Sequence, residues 1–175
     1  RYLAHTQITF ATHVHLGMAS GDEAVHVMSE LKPYLPLLTG LSASSPFWRG
    51  YDTDQAAYRH RILAASRSYG LPPSFESWGA FKRFFAIAQR TGIFEDIKSI
   101  HWDIRLRPDL GTLEVRVRDA QATVREAVIL AALVRALALF LARMPPEERP
   151  RQLPRPLPWW IRGISTCFAV ARWWA

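Results

Sequence analysis

The stretch Thr112–Asp119, Thr-Leu-Glu-Val-Arg-Val-Arg-Asp, alternates strictly between apolar and charged residues. Leu113, Val115 and Val117 fall on one side, and Glu114, Arg116 and Arg118 on the other. That two-residue period predicts a β-strand with one face in a core and one face presenting charge. A solvated, cross-strand salt-bridged strand shows the same pattern. The charged face therefore gains meaning only from the strands beside it.

Two other stretches repeat the pattern. His5–Gly17 reads as a first strand, with Ile8, Phe10, Thr12, Val14 and Leu16 on one side and His13 and His15 on the other. Ile97–Arg107 reads as a second, with Trp102, Ile104 and Leu106 opposed to Asp103, Arg105 and Arg107. Pro108 to Gly111 supplies a turn, so the latter stretch and Leu113–Arg118 form a hairpin.

Helices are expected between and behind these strands. Ser20 and Glu23 cap one from about Gly21, which Pro33 and Pro36 kink or divide. The run Ser42–Asp54 reads as a loop of turn formers and aromatics, and Ala56–Ser66 as a short helix carrying Arg59 and Arg61, both exposed by default. Ser77 caps a helix to about Thr91, with Gly92 at its end. Thr123 and Glu126 cap a long helix to Arg143, read as buried. Residues 145–158 are a proline-rich strap, and Trp159–Trp173 a final aromatic helix.

The 175 residues suffice for one domain with a real core. The single cysteine, Cys167, leaves no intrachain disulfide and no cysteine-based zinc site, which fits a reducing, cytoplasmic compartment. Glu126, Arg135 and Arg143 interrupt the most apolar stretch, so no membrane span is expected. The formal charge of +7 suits an anionic partner. The arginines are dispersed and no nucleic-acid recognition module is legible, so nucleic acid is not the expected partner. The chain starts at Arg1, without Met, in what reads as a strand edge, which predicts a piece of a longer protein.

If the three strands share a sheet, one face holds His13, His15, Asp103, Arg105, Arg107, Glu114, Arg116 and Arg118. A carboxylate with a histidine can hold a divalent metal, and fixed guanidiniums hold carboxylates or phosphates in bidentate fashion. Phosphoryl transfer asks mainly for such charge neutralisation and positioning. The same residues admit a rival, since His13, His15 and Glu114 make a His₂Glu set suited to catalytic zinc in a hydrolase. No nucleophile elbow and no Walker-type loop is present.

The motifs resemble those of the glutamate–cysteine ligase type 2 family of carboxylate–amine ligases. The matching pieces are Thr12-His13-Val14-His15-Leu16-Gly17, Leu41-Ser42-Ala43-Ser44-Ser45-Pro46-Phe47-Trp48, Tyr58-Arg59, Gly70-Leu71-Pro72-Pro73, Trp102-Asp103-Ile104-Arg105, and Thr112-Leu113-Glu114-Val115-Arg116 with Asp119. The resemblance implies an α+β, glutamine synthetase-like fold, part of which lies in this chain: an antiparallel sheet with helices on one face. It implies residues 1–144 as the central part of a catalytic domain, 145–158 as a linker and 159–175 as the start of a C-terminal helical segment. The implied reaction uses ATP to phosphorylate a glutamate side-chain carboxylate, and an amine, that of cysteine or another compound, then attacks. By resemblance His13 and Glu114 ligate magnesium, with manganese as the alternative because of the imidazole. His15, Arg105 and Arg59 meet the nucleotide, and Arg105 and Arg116 act on the phosphate and the substrate carboxylate.

The family's upstream glutamate-rich strand does not occur here, so the resemblance also implies an incomplete metal site. This leaves a second reading, a non-catalytic fragment or assembly module that self-associates through an exposed sheet edge.

Overall fold

The structure is a computed structural model that describes residues 8–64 and 69–144. In chain order the elements are β1 (Ala11–Gly17), α1 (Gly21–Leu31), α2 (Leu35–Leu41), β2 (Phe47–Trp48), β3 (Tyr51–Asp52), α3 (Arg59–Ala64), β4 (Tyr69–Gly70), α4 (Trp78–Arg90), β5 (His101–Trp102), β6 (Ile104–Arg107), β7 (Thr112–Asp119) and α5 (Val124–Arg143). The principal sheet has the order β1-β7-β6 and is antiparallel throughout. The class is therefore mixed helix and sheet, as the alternation predicts.

The sheet turns one face into the core. Leu113, Val115, Val117, Ile104 and Leu106 are buried there with Val27, Met28 and Leu31 of α1, Leu38 of α2, Phe81 of α4 and Val134 and Leu141 of α5. Each such side chain removed from water stabilises the fold by about 1.5–3 kcal/mol. The helix starts follow local chemistry. Ser20 accepts from the Glu23 amide at 3.1 Å, Ser77 from the Ala80 amide at 3.1 Å, and Thr123 and Glu126 form a reciprocal capping box. Pro33 and Pro36 divide the first helical region as expected, with a 3₁₀ turn at Lys32–Tyr34 between α1 and α2. The hairpin closes through Gly111 at φ 64, a conformation that favours glycine.

Several expectations change. β1 begins at Ala11, and Ile8 and Phe10 are largely exposed rather than on a core face. The stretch Ile97–Arg107 is not one strand. It holds a 3₁₀ turn at Ile97–Ser99, then β5, then β6 after a break at Asp103. There the Asp103 amide donates to the Gly70 carbonyl and its carbonyl accepts from the Arg116 amide, each at 2.8 Å. Arg59 is buried rather than exposed. The long helix α5 buries only one face, through Leu130, Val134, Ala138 and Leu141, while Val128, Ile129 and Phe140 are exposed. Among the described residues no helix is long and apolar enough to cross a membrane. The strap at 145–158 and the aromatic helix at 159–173 lie outside the described residues.

The register of β1 on β7 shifts between Thr12 and Val14. His15 pairs with Glu114 and Val14 with Val115, but Thr12 pairs with Arg118, so Arg116 and Val117 together oppose His13. The extra residue is a β-bulge, which re-aims the side chains beyond it. Arg118 is fully buried and, among the described residues, makes no ion pair, so it does not join the charged cluster expected from the alternation.

Candidate functional site

Antiparallel pairing sets His15, Glu114 and Arg105 in one row across β1, β7 and β6. Neighbours directly opposite on one face of a sheet are close enough to interact. Glu114 is the hub of the row and is 2 % exposed. Its Oε2 accepts from Arg105 Nε at 2.6 Å and lies 3.6 Å from Arg107 Nη1. Its Oε1 accepts from Arg116 Nη1 at 2.7 Å, with His13 Nδ1 at 3.0 Å and His15 Nε2 at 3.8 Å. Burial would raise the Glu114 carboxyl. The hydrogen bonds from His13 and Arg105 and the charge of Arg116 outweigh that and hold it well below the usual carboxylate range.

The cations are themselves fixed. Arg105 Nη1 donates to the Lys98 carbonyl at 3.0 Å and also to that of Ile100. Arg107 forks onto Asp109 at 2.9 and 2.7 Å. His15 is held by Thr112 Oγ1, 3.0 Å from Nδ1. Because an ionised carboxylate only accepts, His13 donates from Nδ1, and in the neutral ring Nε2 is then the lone-pair nitrogen. Arg116 gives Glu114 one nitrogen, and its Nε and Nη2 have no hydrogen-bond partner among the described residues.

Five of the six sequence-predicted site residues thus converge: His13, His15, Arg105, Glu114 and Arg116. Arg59 stands apart from the ion-pair network. It reaches β7 from α3, donating to the carbonyls of Arg118 at 3.4 Å and Arg116 at 3.3 Å. Asp103 is buried at the break before β6, and burial raises its carboxyl above the ordinary range. The sequence pattern does not single out His101. Burial, then the charges of Arg116 and Arg105, lower its imidazole, which places it in the field of the cluster. Extending the alternation Arg105, Asp103 by one more step would have found it.

One carboxylate among three guanidiniums and two imidazoles leaves surplus positive charge. Among the described residues no three histidine, cysteine, aspartate or glutamate side chains converge to hold a metal ion. Surplus guanidinium charge of this kind suits an anionic group, and His13, His15 and Glu114 form no three-ligand metal cluster among the described residues.

The family profile described as glutamate–cysteine ligase family 2 matches residues 1–156. The chain belongs to that family. Its relatives include a protein of Trichormus variabilis, provisionally named glutamate–cysteine ligase 2, 48% identical over 172 residues, which cover 98% of this chain and 44% of the relative. Proteins of Thermobifida fusca and Gloeobacter violaceus with the same provisional name are 39% identical over 160 residues and 40% over 135. Those matches cover 91% and 77% of this chain, and 39% and 36% of the relatives. The chain spans less than half the length of these curated relatives.

Proposed function

We propose that the chain is the central part of the catalytic region of an ATP-dependent carboxylate–amine ligase of the glutamate–cysteine ligase type, on a glutamine synthetase-like fold. The observation that supports this reading above others is the Glu114 row, a fixed carboxylate ringed by guanidiniums on one rigid sheet face. ATP would supply the phosphoryl group that activates a glutamate side-chain carboxylate for attack by an amine.

The chain's own residues then divide the work. Arg105, tied down by Glu114 and two backbone carbonyls, offers phosphate oxygens a charge that needs no reorganisation. Arg116 has donors left for the substrate carboxylate. His15, held by Thr112, flanks the phosphates. His13 would meet a divalent cation through Nε2, with Glu114 orienting the ring through Nδ1, a common arrangement around metal-bound histidine. An imidazole ligand leaves manganese as an alternative to magnesium.

The test is ADP release by the complete protein supplied with ATP, Mg²⁺, glutamate and an amine. Turnover should need both glutamate and the amine. Replacing Arg116 by Lys should reduce it by about a hundredfold, since a lysine cannot hold Glu114 and a carboxylate in the same fork. A folded protein that releases no ADP with glutamate and any amine tried overturns the reading. The non-catalytic assembly module has one observation in its favour, the absence of a three-ligand metal cluster among the described residues. It predicts that Mg·ATP does not bind the complete protein at all.

A further inference from the structure

Helix α5 packs on the fold through Leu130, Val134, Ala138 and Leu141 and leaves its opposite side open. That side is apolar over about three turns. Val128, Ile129, Leu133, Leu139 and Phe140 are exposed along it, Phe140 by 60%. At the helical period, Ala132 and Ala136 fall between Val128 and Leu139 on one flank and Ile129, Leu133 and Phe140 on the other. Both alanines are exposed as well. The open side is therefore a shallow trough, floored by methyl groups and walled by larger side chains. A continuous exposed apolar surface of this kind marks a place where something packs.

The sequence that follows α5 carries what the trough lacks. The described residues end at Met144, directly after Arg143 at the C-terminal end of the helix. Residues 145–158 hold six prolines, and residues 159–173 hold Trp159, Trp160, Ile161, Ile164, Phe168 and Trp173. At the polyproline rise of about 3.1 Å per residue, a strap of 14 residues can span about 43 Å. The 20 residues of α5 extend only about 30 Å, so the strap is long enough to return along the whole helix. In the sequence Trp160, Ile161, Ile164 and Phe168 repeat at the helical period, with Arg162 and Ser165 off that stripe. Large rings fit a trough floored by alanine.

Charge separates this occupant from a second copy of the chain. α5 carries Arg125, Arg135 and Arg143, and its one acid, Glu126, is used in the capping box with Thr123. Two such helices face to face would bring arginine to arginine, which disfavours the pairing. Glu147 and Glu148 follow Arg143 by four and five residues and supply the opposite charge where the chain would turn back. We propose that residues 159–173 of the same chain cover the open side of α5, with their aromatic rings seated over Ala132 and Ala136. Val134 and Leu141 of α5 pack on the core face of the sheet, so this contact lies away from the Glu114 row and is independent of the ligase reading.

The test is the rate of maleimide labelling at Phe140→Cys in the complete protein, with Cys167→Ser in the background and the labelled peptide identified by mass. The introduced thiol should be protected at least tenfold relative to the same protein unfolded in urea. Protection below tenfold overturns the proposal. Trp160→Asp combined with Phe168→Asp should bring the rate to within threefold of the unfolded protein, while circular dichroism shows the fold retained. The milder Trp160→Ala should cut the protection at least threefold by itself, and it is read alone if the paired aspartates prevent folding. Protection that survives these changes assigns the trough to another occupant. Protection that fades on dilution assigns it to a second copy. Either result overturns the proposal.

Discussion

Arg116 and Arg118 are two residues apart on one strand and look equivalent in sequence, yet their surroundings are opposite. Arg116 is one of the two residues of the bulge and donates to a carboxylate at 2.7 Å. Arg118 lies beyond it, pairs with Thr12 and is fully buried. Its Nη2 reaches the Thr12 carbonyl at 3.4 Å, and its Nε and Nη1 find no partner among the described residues. Burial lowers its pKa, and among the described residues no carboxylate pairs with it. The difference shows that the alternation of a strand does not by itself decide whether a charge on it finds a counter-charge.

The largest way to break the contrast is to remove the hub. Glu114→Ala strips Arg105, Arg107 and Arg116 of their common counter-charge and leaves buried cations unpaired. It should destabilise the complete protein by about 3–5 kcal/mol in denaturant unfolding, and abolish Mg·ATP binding in calorimetry. A variant with unaltered stability would show that the cations hold themselves in place without Glu114.

Arg118→Met tests the other side. Replacing an isolated buried charge by an apolar side chain of similar length should be neutral or stabilise by about 1–4 kcal/mol, read as an upward shift of the unfolding midpoint at constant slope. The sign is the informative part. Clear destabilisation would mean that Arg118 has a counter-charge outside the described residues.

Much of this was legible in the sequence. The period of Thr112–Asp119, the turn at Pro108–Gly111 and the capping residues Ser20, Ser77 and Thr123 are local signals, and the structure follows each of them. His13, His15, Arg105, Glu114 and Arg116 converge because antiparallel pairing brings together faces that each strand already displayed. What was not legible depends on one strand meeting another. The bulge opposite His13 leaves no mark in either strand alone. The burial of Arg59 comes from α3 docking where β7 runs past the end of β6, with His60 Nε2 also donating to the Val117 carbonyl at 2.6 Å. The exposed face of α5 carries Val128, Ile129, Leu133, Leu139 and Phe140 among its charged residues, so composition could not say that only one face is covered.

The contrast also has a pH signature. The Glu114 carboxyl is held below its ordinary value of 4.5, so the folded state binds its proton less readily than the unfolded state. The resulting stability is fully present above about pH 4.5 and is lost as the pH falls toward the folded value. Unfolding midpoints measured from neutral pH downward should therefore drop more steeply in the native protein than in Glu114→Gln, which lacks the titrating group. Arg118→Met should leave that acid limb unchanged, because the arginine stays protonated throughout.

The smallest effect is expected at the rim. Asp109 forks onto Arg107 at 2.9 and 2.7 Å, better geometry than Arg107 has toward Glu114 at 3.6 Å, yet more than a third of its side chain is exposed. Solvent screens such a pair, so Asp109→Asn should cost no more than about 0.5–1 kcal/mol, and less in high salt. Removing Asp109 frees Arg107 to turn toward Glu114, which would recover part of the loss inside the cluster. A loss well above that range, insensitive to salt, would mean that Arg107 is held on the sheet face by Asp109 and that the Glu114 row is built from its rim inward. A small, salt-dependent loss places the origin of the row at Glu114 itself, where strand pairing and burial converge.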